Sequence, residues 1–420
     1  MALSKGGRMP QERDEAHAAA ETVVDYLWRE QRTFAEVPLC PVDSLVFSAL
    51  AYLQFDLVAE NLLGDARVLL HDVVALSDWS RICSHSWMKN SEHTDSFMRA
   101  VMASRRWRDV RVSFYQDEFS QVTNKQFEAV TFIYPDRDGM QAYLAFRGTD
   151  GTVAGWREDF NLSYMQVIPS HRTALAYVSG VASALDASLV LGGHSKGGNL
   201  AEFAALCCDE ITFARIVGVY NHDGPSFLTP PSSRIDDPRY RDIHLKVIPE
   251  SSMIGMILET GGQYQVVRST ASGLRQHDPF TWLVEGRGFS TKPQLNAGAK
   301  FMSRAINTWT LQHTPAERER YVSTVFKVLD ATDAMRFAEI KENPLPMLLR
   351  VVADSNAIDE DDRRFVLETT KGLVDQMRGQ VKQDMQAQRQ AFNPLKLLEQ
   401  LDLPPLRGIL KRDDEDAPPG

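Results

Sequence analysis

The chain has 420 residues, 43% apolar, 24% charged and 9% aromatic, which excludes a disordered polymer and leaves ample material for a packed core. With 46 Lys and Arg against 56 Asp and Glu the formal net charge is −10, so binding of nucleic acid, or docking on anionic lipid by charge alone, is not expected. The four cysteines include the adjacent Cys207 and Cys208 but no Cys-x-x-Cys pair, so neither a disulfide framework nor a zinc knuckle is expected.

The first 28 residues are polar and charged and lack the apolar core of a secretory signal. No stretch approaches the roughly 20 apolar residues of a membrane-spanning helix. A soluble, cytoplasmic protein is expected. Residues 1–20 read as frayed or disordered, and 21–33 as a short helix. Over 42–60, Val42, Leu45, Val46, Ala49 and Leu53 share a helical face, with Asp43 or Ser44 as cap. Residues 61–109 read as further helix and loop.

The pattern changes at Val110. Alternating β-branched and aromatic residues predict two or three strands up to Pro135, then another over 141–148 after the Asp136-Arg137-Asp138-Gly139 turn. Helices are predicted over 153–163, 169–185 and 196–209. Between them lie apolar strands over 188–191, 215–220, 243–248 and 263–268. This alternation argues for an α/β architecture with a mostly parallel central sheet. From about residue 294 the composition is helical over 297–311, 315–329, 346–353 and 359–389, and the tail is charged and ends in Pro-Pro-Gly. The expected organisation is an N-terminal tail and helix (1–35), an α/β domain (36–290), a helical region (291–408) and a disordered tail (409–420).

The strongest chemical signal is Gly193-His194-Ser195-Lys196-Gly197, a G-x-S-x-G pattern between an apolar strand and a helix. A serine on such a sharp turn is exposed to substrate, and the glycines allow the close backbone packing that the turn requires. The following helix N-terminus offers N–H groups to a developing oxyanion. Upstream stand Ala145-Phe146-Arg147-Gly148-Thr149-Asp150 and Gly155-Trp156-Arg157-Glu158-Asp159-Phe160. Arg147 reads best as an ion-pairing brace, and Trp156, Asp159 and Phe160 as packing and loop support.

This order of motifs resembles the class 3, fungal-type lipases among α/β-hydrolases. More closely, the blocks VDSLVFSALAYL, TFIYP with AFRGTD, GGHSKGGNLA, VYNHDGPSF and QHDPFTW resemble the Mbeg-like family, a lipase-like bacterial domain, from about Val42 to Trp282. The resemblance implies an α/β-hydrolase fold. It implies oxyanion donors at the Thr149 backbone N–H, with its hydroxyl as a further option, and at the Lys196 backbone N–H. The Lys196 side chain departs from the leucine of fungal-type lipases. It reads equally as a cation facing an acidic substrate or as a surface lysine on the first helical turn.

A triad in the order Ser, acid, His requires a histidine late in the α/β region. His277 follows a predicted strand and is the choice. His222 comes early, His244 alternates within a strand, and His313 is in the helical region. Two acids compete, Asp223 after one strand and Glu250 after the next. Fungal-type lipases favour the second location and Mbeg-like sequences the first, and Asp223 is preferred. Asp278 is too close in sequence to His277 to orient it. Residues 251–258 read as an apolar helix start, packing in the core more readily than forming a lid. Trp79, Trp87 and Trp107 either pack or cover the site. No metal or cofactor motif appears. The expected function is a serine esterase or lipase acting on a small-molecule or lipid ester, with peripheral membrane contact as an option. The alternative is a catalytically silent scaffold of the same fold.

Overall fold

In the computed structural model of the chain, residues 21–55, 66–83, 91–149, 153–259, 261–331 and 344–387 are described. The chain opens with β1 (Glu21–Thr22), α1 (Val23–Arg29), α2 (Pro41–Leu50), β2 (Val68–Leu69), α3 (Leu70–Leu76), α4 (Trp79–Ile82) and α5 (Ser91–Ala103). Three longer strands follow, β3 (Arg111–Ser120), β4 (Lys125–Asp136) and β5 (Gly139–Phe146), then α6 (Val153–Asn161) and α7 (Pro169–Ala184). The alternating part comprises β6 (Ser188–His194), α8 (Lys196–Cys207), α9 (Glu210–Arg215), β7 (Ile216–His222), α10 (Pro238–Ile243), β8 (His244–Pro249) and β9 (Gln265–Val267). Short strands β10 (Leu283–Glu285), β11 (Gly288–Phe289) and β12 (Thr291–Lys292) lead into α11 (Ala297–Gln312), α12 (Pro315–Asp330), α13 (Pro344–Asp354) and α14 (Glu360–Ala387).

Nine strands form one sheet in the order β12-β9-β8-β7-β6-β5-β4-β3-β2. From β5 to β9 neighbours run parallel, while β2, β3, β4 and β12 join antiparallel. The sheet is therefore mixed rather than mostly parallel. The connections 121–124 and 137–138 are too short for a crossover, so β3, β4 and β5 must pair as hairpins. Strands β1, β10 and β11 make a separate small sheet.

Side chains alternate across the sheet with period two. On β4 and β5, Val130, Phe132, Tyr134, Tyr143 and Ala145 enter the core beneath α1, α2 and α5. Phe127, Ala129, Ile133, Ala142, Leu144 and Phe146 enter the core beneath α7 and α8. Burial on both faces explains why β6 reads as an uninterrupted apolar run. Helix α2 begins with Pro41 at its first turn, and Asp43 accepts the Cys40 N–H at 2.9 Å. The same carboxylate pairs with buried Arg106 at 2.6 Å, tying α2 to the turn before β3. Trp107 packs against Phe34 and Phe47 and does not cover a site. Trp79 packs against the same core, and Trp87 lies outside the described residues.

The last helices are not loosely attached. Val322, Val325, Phe326 and Leu329 of α12 form one cluster with Trp156 of α6 and with Tyr164. Arg157 of α6 pairs with Asp330, and Arg318 donates to the Ser163 carbonyl. Trp309 of α11 donates to the Thr369 carbonyl of α14 at 3.3 Å. No helix among the described residues is long and apolar enough to cross a membrane. The predicted frayed segment 1–20 and tail 409–420 lie outside the described residues.

Candidate active site

Strand β6 ends in Gly192-Gly193-His194, and the chain turns at Ser195 directly into α8. Ser195 has φ 59° and ψ −132°, a conformation that L residues rarely adopt and that surrounding structure must hold. Its N–H donates to the His222 carbonyl on β7 at 2.9 Å, and its carbonyl accepts the Gly198 N–H at 3.0 Å. A Cβ at Gly193 would collide with the Gly197 backbone, and one at Gly197 with the Phe146 carbonyl. The turn therefore needs both glycines.

His277 closes a short 3-10 turn, Gly273–His277, after β9. Its Nδ1 lies 2.6 Å from Asp223 Oδ2. Asp223 follows the end of β7 with φ 54°, and its N–H donates to the Val247 carbonyl on β8 at 2.8 Å. Its carboxylate is almost wholly buried, and Oδ1 accepts from Ser252 Oγ and from the Gly255 N–H at 3.1 Å. Oδ2 is thus left to His277. Glu250 lies elsewhere: its carboxylate pairs with Lys292, and its N–H donates to the Val267 carbonyl. The structure brings His277 to Asp223 and not to Glu250.

His194 joins the two halves. Its Nε2 lies 2.8 Å from the His277 carbonyl oxygen, so that nitrogen must donate. Nδ1 then accepts from the Tyr52 hydroxyl at 3.1 Å. Burial, aided by nearby His277, drives its pKa well below the ordinary value, consistent with this neutral tautomer. His222 is buried with its Nε2 2.9 Å from Ser44 Oγ, and burial pushes its pKa down to about 3. His244 pairs with Glu202 at 2.7 Å, and His313 contacts the Trp309 carbonyl at 2.8 Å. None of these three takes the place of His277.

On the other side of the serine, Thr149 follows β5, and its hydroxyl donates to Asp159 Oδ2 of α6 at 2.5 Å. Asp159 thus does more than pack and support the loop, and nothing in its spacing along the chain reveals that α6 turns it back toward Thr149. Burial raises its carboxyl to about 6, against the opposing pull of Lys196 and the Thr149 hydrogen bond. Asp159 Oδ1 is closed off from solvent without a hydrogen-bond partner among the described residues. Asp150 lies outside the described residues.

Lys196 fits neither sequence expectation. Its side chain is 1% exposed and turns inward. The ammonium donates to the Gln126 carbonyl at 2.7 Å and to Glu158 Oε2 at 3.0 Å. It is therefore not a surface lysine, and its hydrogens are committed away from solvent. Arg147 forms a buried ion pair with Glu128 on β4, bracing the loop as expected. Residues 251–258 form turns, not a helix. Met253 and Met256 pack on β8 and α11, Ile257 and Leu258 join the core beneath α7 and α8, and the Gly255 N–H donates to Asp223.

A family model described as Mbeg1-like matches residues 101–327. Comparison with the curated proteins and with solved structures finds no match.

Proposed function

The chain belongs to the Mbeg1-like family, and from that premise and the geometry above we propose that it is a serine hydrolase of α/β-hydrolase fold that cleaves a carboxylic ester. The observation that carries the reading is the strained Ser195 turn at the end of a central parallel strand, with the His277–Asp223 pair at the same sheet end. The lipid or acyl character of the ester rests on the lipase-like motifs alone.

In this reading Ser195 Oγ attacks the ester carbonyl carbon while His277 Nε2 takes the hydroxyl proton. Asp223 holds the imidazole by Nδ1–H and balances the imidazolium that forms. The oxyanion is met by the backbone N–H groups of Lys196, at the positive end of α8, and of Thr149. The single hydroxyl hydrogen of Thr149 goes to Asp159, so the hydroxyl holds the loop and the backbone donates. The tetrahedral species collapses as His277 returns its proton to the departing alkoxide, leaving an acyl-serine and an alcohol. Water then attacks the acyl carbon, giving its proton to His277, and the acid leaves as Ser195 recovers its proton.

The test is hydrolysis of p-nitrophenyl esters of increasing acyl length by the wild type and Ser195→Ala, with fluorophosphonate labelling of both. Turnover and labelling by the wild type alone are the expected result. A wild type inert to both would favour the silent scaffold.

A further inference from the structure

The Lys196–Glu158 pair lies deep between four elements. Lys196 opens α8, Glu158 lies on α6, Gln126 on β4 and Ser170 on the first turn of α7. Glu158 Oε2 accepts from the Gln126 N–H at 3.0 Å, Ser170 Oγ at 2.8 Å and Lys196, and Oε1 accepts the Ser170 N–H at 3.0 Å. Besides Glu158 and the Gln126 carbonyl, the ammonium reaches Gln126 Oε1 at 3.2 Å, so its three hydrogens are all used. Both side chains are at most 1% exposed.

Burying such a pair is not an economical way to gain stability, since well-packed apolar residues of similar volume usually do as well. What the pair does uniquely is join two pieces of backbone with fixed direction and fixed charge. Lys196 carries an oxyanion N–H in the proposed mechanism. Glu158 directly precedes Asp159, which holds Thr149. One salt bridge therefore links the helix that braces Thr149 to the first turn of α8.

We propose that Lys196, through its side chain, is a positioning residue that locks α6 to the elbow and so holds the two oxyanion donors in register. The inference rests on the hydrolase reading. It extends that reading by giving the lysine side chain a role in the chemical step rather than in substrate choice. Its charge also opposes the upward push of burial on the Asp159 carboxyl.

The experiment compares the wild type, Lys196→Met, Glu158→Gln and the double variant by melting temperature, by kcat and KM on a p-nitrophenyl ester, and by the rate of fluorophosphonate labelling. Each single change leaves a buried group without its partner and lowers the melting temperature. The double variant removes both charges; the amide oxygen still accepts from the Gln126 N–H and Ser170 Oγ, but its NH2 faces the Ser170 N–H, so it regains only part of that loss and is compared with the single variants at an equal interval below the melting temperature. Its kcat and labelling rate are expected to stay at least tenfold below wild type, with KM within about twofold. Recovery of kcat together with melting temperature would reduce the pair to a structural brace and overturn the inference. A wild type that neither turns over nor labels overturns the hydrolase reading and the inference with it. The wild-type measurement alone tells the two failures apart.

Discussion

His194 Nε2 donates to the carbonyl oxygen of His277 at 2.8 Å, so the residue before Ser195 anchors the loop that carries the histidine paired with Asp223. A histidine here does what no apolar residue could: it spans from the Tyr52 hydroxyl to that carbonyl in one neutral tautomer. His194→Leu should therefore lower kcat by about tenfold with little change in KM, and cost about 1–3 kcal/mol of stability through the buried groups left unpaired. Steady-state kinetics and chemical denaturation check both.

The two acids after β7 and β8 are separated by one experiment. Asp223→Asn should keep the shape but lose the acceptor that fixes the His277 tautomer, lowering kcat on the order of 10³–10⁴-fold. Glu250→Gln, which touches only the Lys292 pair and its surroundings, should change kcat less than about threefold. Equal losses in both would dissolve the assignment.

Thr149→Val keeps the backbone N–H and removes the hydroxyl that Asp159 accepts. A loosened loop should lower kcat by about tenfold at constant KM. A change confined to KM would argue that Thr149 binds substrate instead.

Asp159 supplies a pH test with a definite sign. Its folded pKa, about 6, lies above the ordinary 3.8, so the folded state holds this proton more firmly than the unfolded one. The resulting stabilisation is full below 3.8 and is lost as pH rises through 6. Asp159→Asn, which still accepts from Thr149, should thus gain on the wild type as pH rises from 4 to 6.5. The gain should reach a plateau on the order of 2 kcal/mol after allowance for partial exposure. Melting temperatures across that range measure it, and a constant difference would refute it.

The buried histidines act in the opposite direction. His171, pushed by burial to about 4, and His222, to about 3, stay neutral when folded but bind protons when unfolded below 6.5. Stability is therefore lost as pH falls from 6.5 toward these values. His222→Gln should remove about one proton from the uptake on unfolding at pH 5, flattening the acid slope by about 1.4 kcal/mol per pH unit. The comparison rests on slope, so a packing loss common to all pH values does not obscure it.

The elbow, the central strands and the late helices are legible because each depends on local pattern: a strand of apolar residues, glycines where a Cβ cannot fit, and helical spacing. The choice between Asp223 and Glu250 is not local. Both follow adjacent parallel strands, and what distinguishes them is that Ser252 and Gly255 fold back over one of them. Residues 251–258 look helical in composition. Asn307, far along the chain, instead donates to the Met256 and Glu259 carbonyls and holds the segment as turns. The direction of the Lys196 side chain is equally invisible, since a lysine on a first helical turn has the same sequence whether it faces water or Glu158. The small sheet of β1, β10 and β11 escapes periodicity because its strands are two or three residues long.

The packing of α12 on α6 has a consequence for how the molecule is made. A chain growing from its N-terminus presents Ser195, Asp223 and His277 well before residues 315–330 leave the ribosome. Until then Trp156 lacks its covering of Val322, Val325 and Phe326, and α6, which carries Glu158 and Asp159, lacks its outer support. On the proposed function, a prematurely terminated product would carry Ser195, Asp223 and His277 on an unsupported α6, and activity would arrive only late in synthesis.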